Sequence, residues 1–141
     1  MALVYFYEKP GCLNNTRQKQ LLVGAGHLII VHDLLSEPWR NDVARLRSFF
    51  HNRPVAEWFN PSAPRIKQGL VNPLILSESQ AIAAMIEDPI LIRRPLIESD
   101  GIRWAGFDVE QVDAWIGLSA GAAGRDMETC TRDRRQAGER S

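Results

Sequence analysis

The sequence predicts an α/β fold: a small mixed sheet assembled in the order βαβ … ββα, with a helical subdomain inserted between the two halves. Three observations predict it. An apolar run, a helix-forming stretch and a second apolar run open the chain; a Pro-punctuated helical middle follows; a hairpin signal and one amphipathic helix close it.

The first run, Leu3–Tyr7, lacks polar alternation and reads as a strand buried on both faces. Asn14 to Val23 carries helix formers (Arg17, Gln18, Lys19, Gln20, Leu21, Leu22), and Gly24 and Gly26 supply the stop. Leu28–Val31 follows as the second apolar strand, so the unit is a right-handed crossover between parallel strands. In the middle, Ser36-Glu37-Pro38-Trp39 reads as a helix start with Pro in its first turn, and Val43, Leu46, Phe49 and Phe50 as its apolar stripe. Arg53-Pro54 restarts a short helix carrying Trp58 and Phe59, and Asn60-Pro61-Ser62-Ala63-Pro64 breaks it. Ser77 and Gln80 form a capping-box pair for a helix through Ala81, Ile82, Met85 and Ile86, which Asp88-Pro89 ends. Leu96–Glu98 and Ile102–Trp104, joined through Ser99-Asp100-Gly101, give the hairpin signal. Phe107–Ile116 is the closing helix, with Asp108 as N-cap and Val109, Val112, Trp115 and Ile116 facing inward. This is the thioredoxin-type order with an insertion at about residues 36–88. One domain spans 1–118; residues 119–141 are charge-rich and nearly free of large apolar side chains, which predicts a disordered tail.

Composition narrows the function. Apolar and charged fractions of 45% and 24% are those of an ordinary soluble globular protein. A formal net charge of zero gives no electrostatic argument for direct nucleic-acid or membrane binding. Two cysteines, Cys12 and Cys130, are too few for a disulfide scaffold, and no signal-like segment or long apolar span is present, so a cytoplasmic location is expected. His27, His32 and His51 lack metal-ligand spacing and read as surface or strand-end residues; no bound metal or cofactor is expected.

Cys12 is the chief chemical candidate. It follows Pro10-Gly11 where a helix begins, and the exposed N–H groups and positive dipole end of a helix favour a thiolate there. The other reading is a small buried apolar residue. Asn14 and Asn15 are placed either to cap the helix or to donate amide hydrogen bonds that tune the thiolate. Asn15 stands where a Cys-x-x-Cys motif would have its second cysteine, so no intramotif dithiol cycle can run. Cys130 reads as a bystander or a resolving thiol. The second candidate is Ile92-Arg93-Arg94-Pro95-Leu96, two arginines inside an apolar run. Each is solvated at a strand edge, paired with Glu87 or Asp88, or holds an oxyanion. In a thioredoxin-type fold Pro95, a candidate for a cis X–Pro bond, lies beside the helix-start thiol, and Arg94 then faces Cys12.

These blocks resemble the arsenate reductase (ArsC) and Spx-like family of thioredoxin-fold proteins, on Tyr5 to Cys12 and Asp88 to Ile97. Gly11 to Lys19, Trp58 to Lys67 and Arg93-Arg94-Pro95 are similar to its nitrogenase-associated branch, and the likeness covers roughly 3–118. The resemblance implies a small mixed sheet with a helical insertion and a cis Pro95. It implies a helix-start nucleophile at Cys12, glutathione or glutaredoxin as external reductant, and three anion-holding arginines. One of these corresponds to Arg94, whereas the other two positions fall near Ala56 and Gly106. Arg93, Arg65 and Lys67, with Arg103, are the basic residues that could stand in for them. The family's small Ser three residues after the Cys is Asn15 here. Two functions follow as expectations. One is monothiol redox chemistry linked to glutathione, in a nitrogenase-associated setting with a nitrogenase-related protein partner. The other is a non-catalytic regulatory module like the Spx-like relatives that dock on transcription machinery.

Overall fold

Residues 1–118 are described by the computed structural model; the expected disordered tail and Cys130 lie outside them. The central strand is β1 (Leu3–Glu8), and the helix α1 (Leu13–Gly24) carries the chain over to β2 (Leu28–Asp33). β1 and β2 pair in parallel, from Leu3↔Leu28 to Glu8↔Asp33. On its other side β1 pairs antiparallel with β3 (Leu96–Ser99), in the register Tyr5↔Glu98 and Tyr7↔Leu96. β4 (Ile102–Ala105) pairs antiparallel with β3, giving the strand order β2-β1-β3-β4. Asp100 and Gly101, with φ of 54° and 76°, turn the hairpin. Consecutive positive φ values match the right-handed twist of the flanking strands, and this is why an Asp-Gly pair sits there.

Alternation along β1 separates two apolar layers. Val4 and Phe6, with Ile97 of β3, pack against Leu22 of α1 and against Phe107, Val109 and Val112. The last two belong to α5 (Val109–Ile116), whose N-cap Asp108 accepts from the Gln111 N–H at 3.1 Å. Tyr7, Leu96 and Ala105 face the opposite layer, filled by Trp39, Leu46, Phe49, Phe50, Trp58 and Met85 of the insertion and by Leu91 just after it. The inner residues of β1 are thus covered on both sides, with only Leu3 exposed. β2 is different: it forms one edge of the sheet, and its Leu28, Ile30 and Val31 are exposed. The opposite edge is capped by side chains, with the His51 Nε2 bonded to the Arg103 carbonyl and the Arg53 Nη1 donating to the Ala105 carbonyl. Side chains there take up carbonyls that a further strand would have used.

The insertion departs from expectation in its boundaries. Ser36 does not start a helix; its hydroxyl donates to Asp33, and only a 3-10 turn, Trp39–Asn41, follows Pro38. Asp42 then leaves helical geometry (φ −149°) and becomes the N-cap of α2 (Val43–Ser48) by accepting from the Arg45 N–H. Val43 is exposed, and Phe49 and Phe50 are buried beyond the helix end instead of along its stripe. The restart after Pro54 is a 3-10 turn, Val55–Trp58, and Phe59 beyond it makes an isolated bridge with Ile92. Two short elements had no counterpart in the sequence reading: α3 (Pro64–Lys67), with Pro64 in its first turn, and a 3-10 turn at Pro89–Leu91. α4 (Glu78–Glu87) has the expected box, the Ser77 hydroxyl accepting from the Gln80 N–H and the Gln80 Oε1 from the Ser77 N–H.

Polar groups join these layers. His27 is buried, not at the surface: its Nδ1 accepts from the Ala2 N–H and its Nε2 is 2.9 Å from the Gly117 carbonyl, so that nitrogen carries the proton. Tyr7 Oη accepts from Arg45 Nη1 at 2.9 Å, and Arg45 also reaches Glu37 and Asp42 and lies 4.7 Å over the Trp39 ring. Burial raises the Tyr7 pKa above the usual tyrosine value, Arg45 opposing and Glu37 and Glu98 reinforcing the shift. The folded state therefore holds this phenolic proton more tightly than the unfolded chain does. Its contribution to stability is complete below the unfolded tyrosine pKa of ~10 and is lost as pH rises through the folded value. Denaturant melts taken across alkaline pH should show this loss, and Tyr7→Phe should flatten it; an equal loss in both proteins would acquit the phenol.

Candidate functional site

β1 ends at Glu8, and Lys9-Pro10-Gly11 turn the chain into α1. The turn is closed by the Cys12 N–H donating to the Lys9 carbonyl at 3.1 Å, and Gly11 takes a φ of 83°, which a residue with a Cβ adopts only under strain. Cys12 is the N-cap of α1: its backbone is extended (φ −75°, ψ 121°) and its carbonyl accepts the first helical bond, from the Thr16 N–H. The thiol therefore stands where the first N–H groups of a three-turn helix have no intrahelical partner. Asn14 and Asn15 lie inside the helix, so neither occupies the cap position. The Asn15 Oδ1 instead accepts from the Lys9 N–H at 3.0 Å, and the Asn14 Oδ1 from the Arg17 Nη1 at 3.3 Å.

The second segment arrives from the insertion. The Arg93 N–H donates to the Trp58 carbonyl, the Arg94–Pro95 peptide bond is cis, and the Pro95 carbonyl accepts from the Gly106 N–H. Because Tyr7 is paired antiparallel with Leu96, the residues just before Leu96 run alongside Glu8, the end of β1, and the start of the Lys9–Cys12 turn. Sheet register thus brings Arg94 and Pro95 to the same pole of the sheet as Cys12. Both candidate residues are buried there, Cys12 at 1% exposure and Arg94 at 5%. Cys12 is one of the buried apolar residues of the core, although it belongs to neither of the two layers described above.

The other basic residues occupy different places. The Arg93 Nη1 donates to the Glu57 carbonyl at 3.4 Å. Arg65, on α3, lies 3.8 Å from Asp88, and Lys67 is exposed on the same turn. Arg103 donates to the Ser48 hydroxyl and lies 3.2 Å from Glu98, on the insertion side of the sheet. Ala56 sits in the 3-10 turn before Trp58, and Gly106, with φ of 88°, follows β4. Among the described residues no three His, Cys, Asp or Glu side chains cluster in a way that would hold a metal ion.

One participant escaped the sequence reading. Gln18 is fully buried beneath the turn, and its Oε1 accepts from the Asn15 Nδ2 at 2.8 Å. The signal was available in the spacing: Asn14, Gln18 and Leu22 lie four residues apart, on the helix face that meets the sheet, where apolar residues are the rule.

Comparison with known proteins places this arrangement in context. The model of the ArsC family matches residues 15–115, beginning three residues after Cys12. An uncharacterized 15.7 kDa protein in the draG 3′ region of Rhodospirillum rubrum is 52% identical over 130 residues, covering 92% of this chain and 89% of that protein. Among solved structures, arsenate reductase from Vibrio cholerae superposes with a TM-score of 0.65 at 27% identity, over 79% of this chain and 95% of that one. A possible arsenate reductase from Streptococcus mutans UA159 gives 0.64 at 27% identity, over 80% and 99%.

Proposed function

The chain belongs to the ArsC family, and from that premise we propose that it performs monothiol redox chemistry at Cys12, with Arg94 as the cationic neighbour and glutathione or glutaredoxin as the reductant. In the glutathione form of the reaction, the Cys12 thiolate attacks one sulfur of a glutathione disulfide. The S–S bond breaks, a glutathione thiolate leaves, and Cys12 is held as a mixed disulfide. The thiolate of glutaredoxin then attacks the glutathionyl sulfur; the bond to Cys12 breaks, Cys12 leaves as its thiolate, and the glutathionyl group passes to glutaredoxin. Asn15 tunes the site through the turn it holds, and Asn14 through Arg17. The observation that carries this reading is the convergence of a helix N-cap thiol and a buried guanidinium at one pole of the sheet. Helix terminus and guanidinium favour the thiolate, burial opposes it, and the proposal requires the first two to win. Arsenate itself is not the substrate proposed, because Ala56 and Gly106 stand where the resemblance puts two of the three anion-holding arginines.

The test is the pH dependence of Cys12 alkylation by iodoacetamide, read together with mass spectrometry after incubation with glutathione disulfide. The expected result is an apparent pKa below the ~8.5 of an ordinary thiol and a glutathione adduct on the peptide that carries Cys12, absent from that peptide in Cys12→Ser. An ordinary pKa with no adduct would sink the proposal. It would favour the second reading, a non-catalytic docking module of the Spx-like kind, for which the near-complete burial of Cys12 speaks. A link to nitrogen fixation, in the cytoplasm and with a nitrogenase-related partner, is part of the same proposal. It is supported by likeness to the nitrogenase-associated branch and is in keeping with the gene position by which the Rhodospirillum rubrum relative is described.

A further inference from the structure

We infer that Gln18 is a positioning residue for Cys12, acting through Asn15 on the turn that carries the thiol; the inference rests on the redox reading above only for its consequence at sulfur. The direction of the relay is fixed by its first member. The Lys9 N–H can only donate, so Asn15 must turn its Oδ1 toward it, and the Asn15 Nδ2 then faces inward and donates to the Gln18 Oε1 at 2.8 Å. That contact in turn commits the Gln18 Nε2 to the far side, where it is buried and has no hydrogen-bond partner. A buried amide left short of an acceptor costs stability, and an apolar side chain on this sheet-facing stripe would avoid the cost, as Leu22 does one turn later.

What Gln18 does in return is help clamp one residue, Lys9, on both sides of its Cα. The Lys9 N–H is held by Asn15 and the Lys9 carbonyl by the Cys12 N–H, so the carboxamide of Gln18 fixes the Asn15 rotamer, Asn15 fixes Lys9, and Lys9 fixes the residue that bears the sulfur. Outside the turn, a 2.6 Å ion pair between Lys19 and Glu8 ties the same helix to the same strand end, but it is partly exposed and joins side chains only.

The experiment compares the wild-type protein with Gln18→Met, which matches the volume and lacks the acceptor, and Gln18→Glu, which keeps an acceptor oxygen for Asn15. Two readouts are taken: hydrogen exchange of the Lys9 amide, and the pH profile of Cys12 alkylation. Gln18→Met should speed Lys9 exchange by about tenfold, the equilibrium value of roughly one hydrogen bond, and should displace the alkylation profile without lowering the melting temperature. Gln18→Glu should restore slow exchange. Wild-type exchange and an unmoved profile in Gln18→Met would overturn the inference. Should that variant fail to fold, Gln18→Asn, polar but one carbon short of Asn15, supplies the same contrast. An ordinary thiol profile in the wild-type protein would defeat the redox reading alone, because Lys9 exchange still reports on the clamp.

Discussion

Exchanging Arg94 for methionine should raise the apparent pKa of Cys12 by about one unit or more, since a unit charge near a titrating group typically moves it by about 1–3 units. At neutral pH the thiolate fraction falls accordingly, and mixed-disulfide formation with glutathione disulfide should slow by about tenfold. Methionine fills much of the same space, so a change confined to melting temperature would mean that Arg94 is there for packing. Arg94→Lys separates charge from shape: a restored pKa with slow adduct formation would indicate that the planar guanidinium also orients an anionic substrate. An unmoved pKa in both variants would remove Arg94 from the chemistry. The prediction is sharp because Arg94 is nearly sealed from water, where a charge is screened far less than at the surface.

The second large effect concerns the insertion. Trp58→Ala should cost about 3–5 kcal/mol, a large share of the roughly 5–15 kcal/mol that holds a domain together. Trp58 is fully buried; its ring stacks on Phe50 with centroids 4.9 Å apart and planes 8° apart, and the Arg47 guanidinium lies 4.5 Å over it. Its indole N–H donates to the Arg53 carbonyl, and its own carbonyl receives the Arg93 N–H. Truncation therefore opens a cavity and loosens the segment that delivers Arg94. Urea midpoints measure the loss, and a change below about 1 kcal/mol, the scale of a surface substitution, would show that the layer recloses without the indole.

How far the sequence foretold this molecule varies by element. The βαβ … ββα frame was legible because Leu3–Tyr7 and Leu28–Val31 are apolar runs bounded by Gly and Pro, and because Asp100-Gly101 and Ser77/Gln80 are local devices whose geometry depends on neighbours in the chain. The one-turn elements were not legible, since α3 and the 3-10 turns are too short to show a period. At Ser36–Trp39 local signals pointed to a helix, but the Trp39 indole is anchored on the Leu34 carbonyl within the core, and Asp42 becomes the real cap. Exposure of β2 was hidden because an apolar run reads the same at an edge as in the middle of a sheet. At the site, the convergence of residues 12 and 94 followed only once a fold type was assumed, because 82 positions separate them. Gln18 was passed over because a polar residue in a helix is ordinarily read as solvated.

The sheet is a party wall between two apolar layers, one closed by α1 and α5 and the other by residues of the insertion. Cooperative opening need not respect the whole domain, and regions that share few contacts open with their own free energies. Arg93 is tethered to Trp58 on the insertion side, whereas Cys12 rides on the helix of the other side. A fluctuation that lifts the insertion away would loosen the segment of Arg93 and Arg94 while β1, α1 and α5 keep their protection. On the redox reading proposed above, the hold on the Arg93–Arg94 segment then has a threshold set by the packing of tryptophan and phenylalanine well away from Cys12.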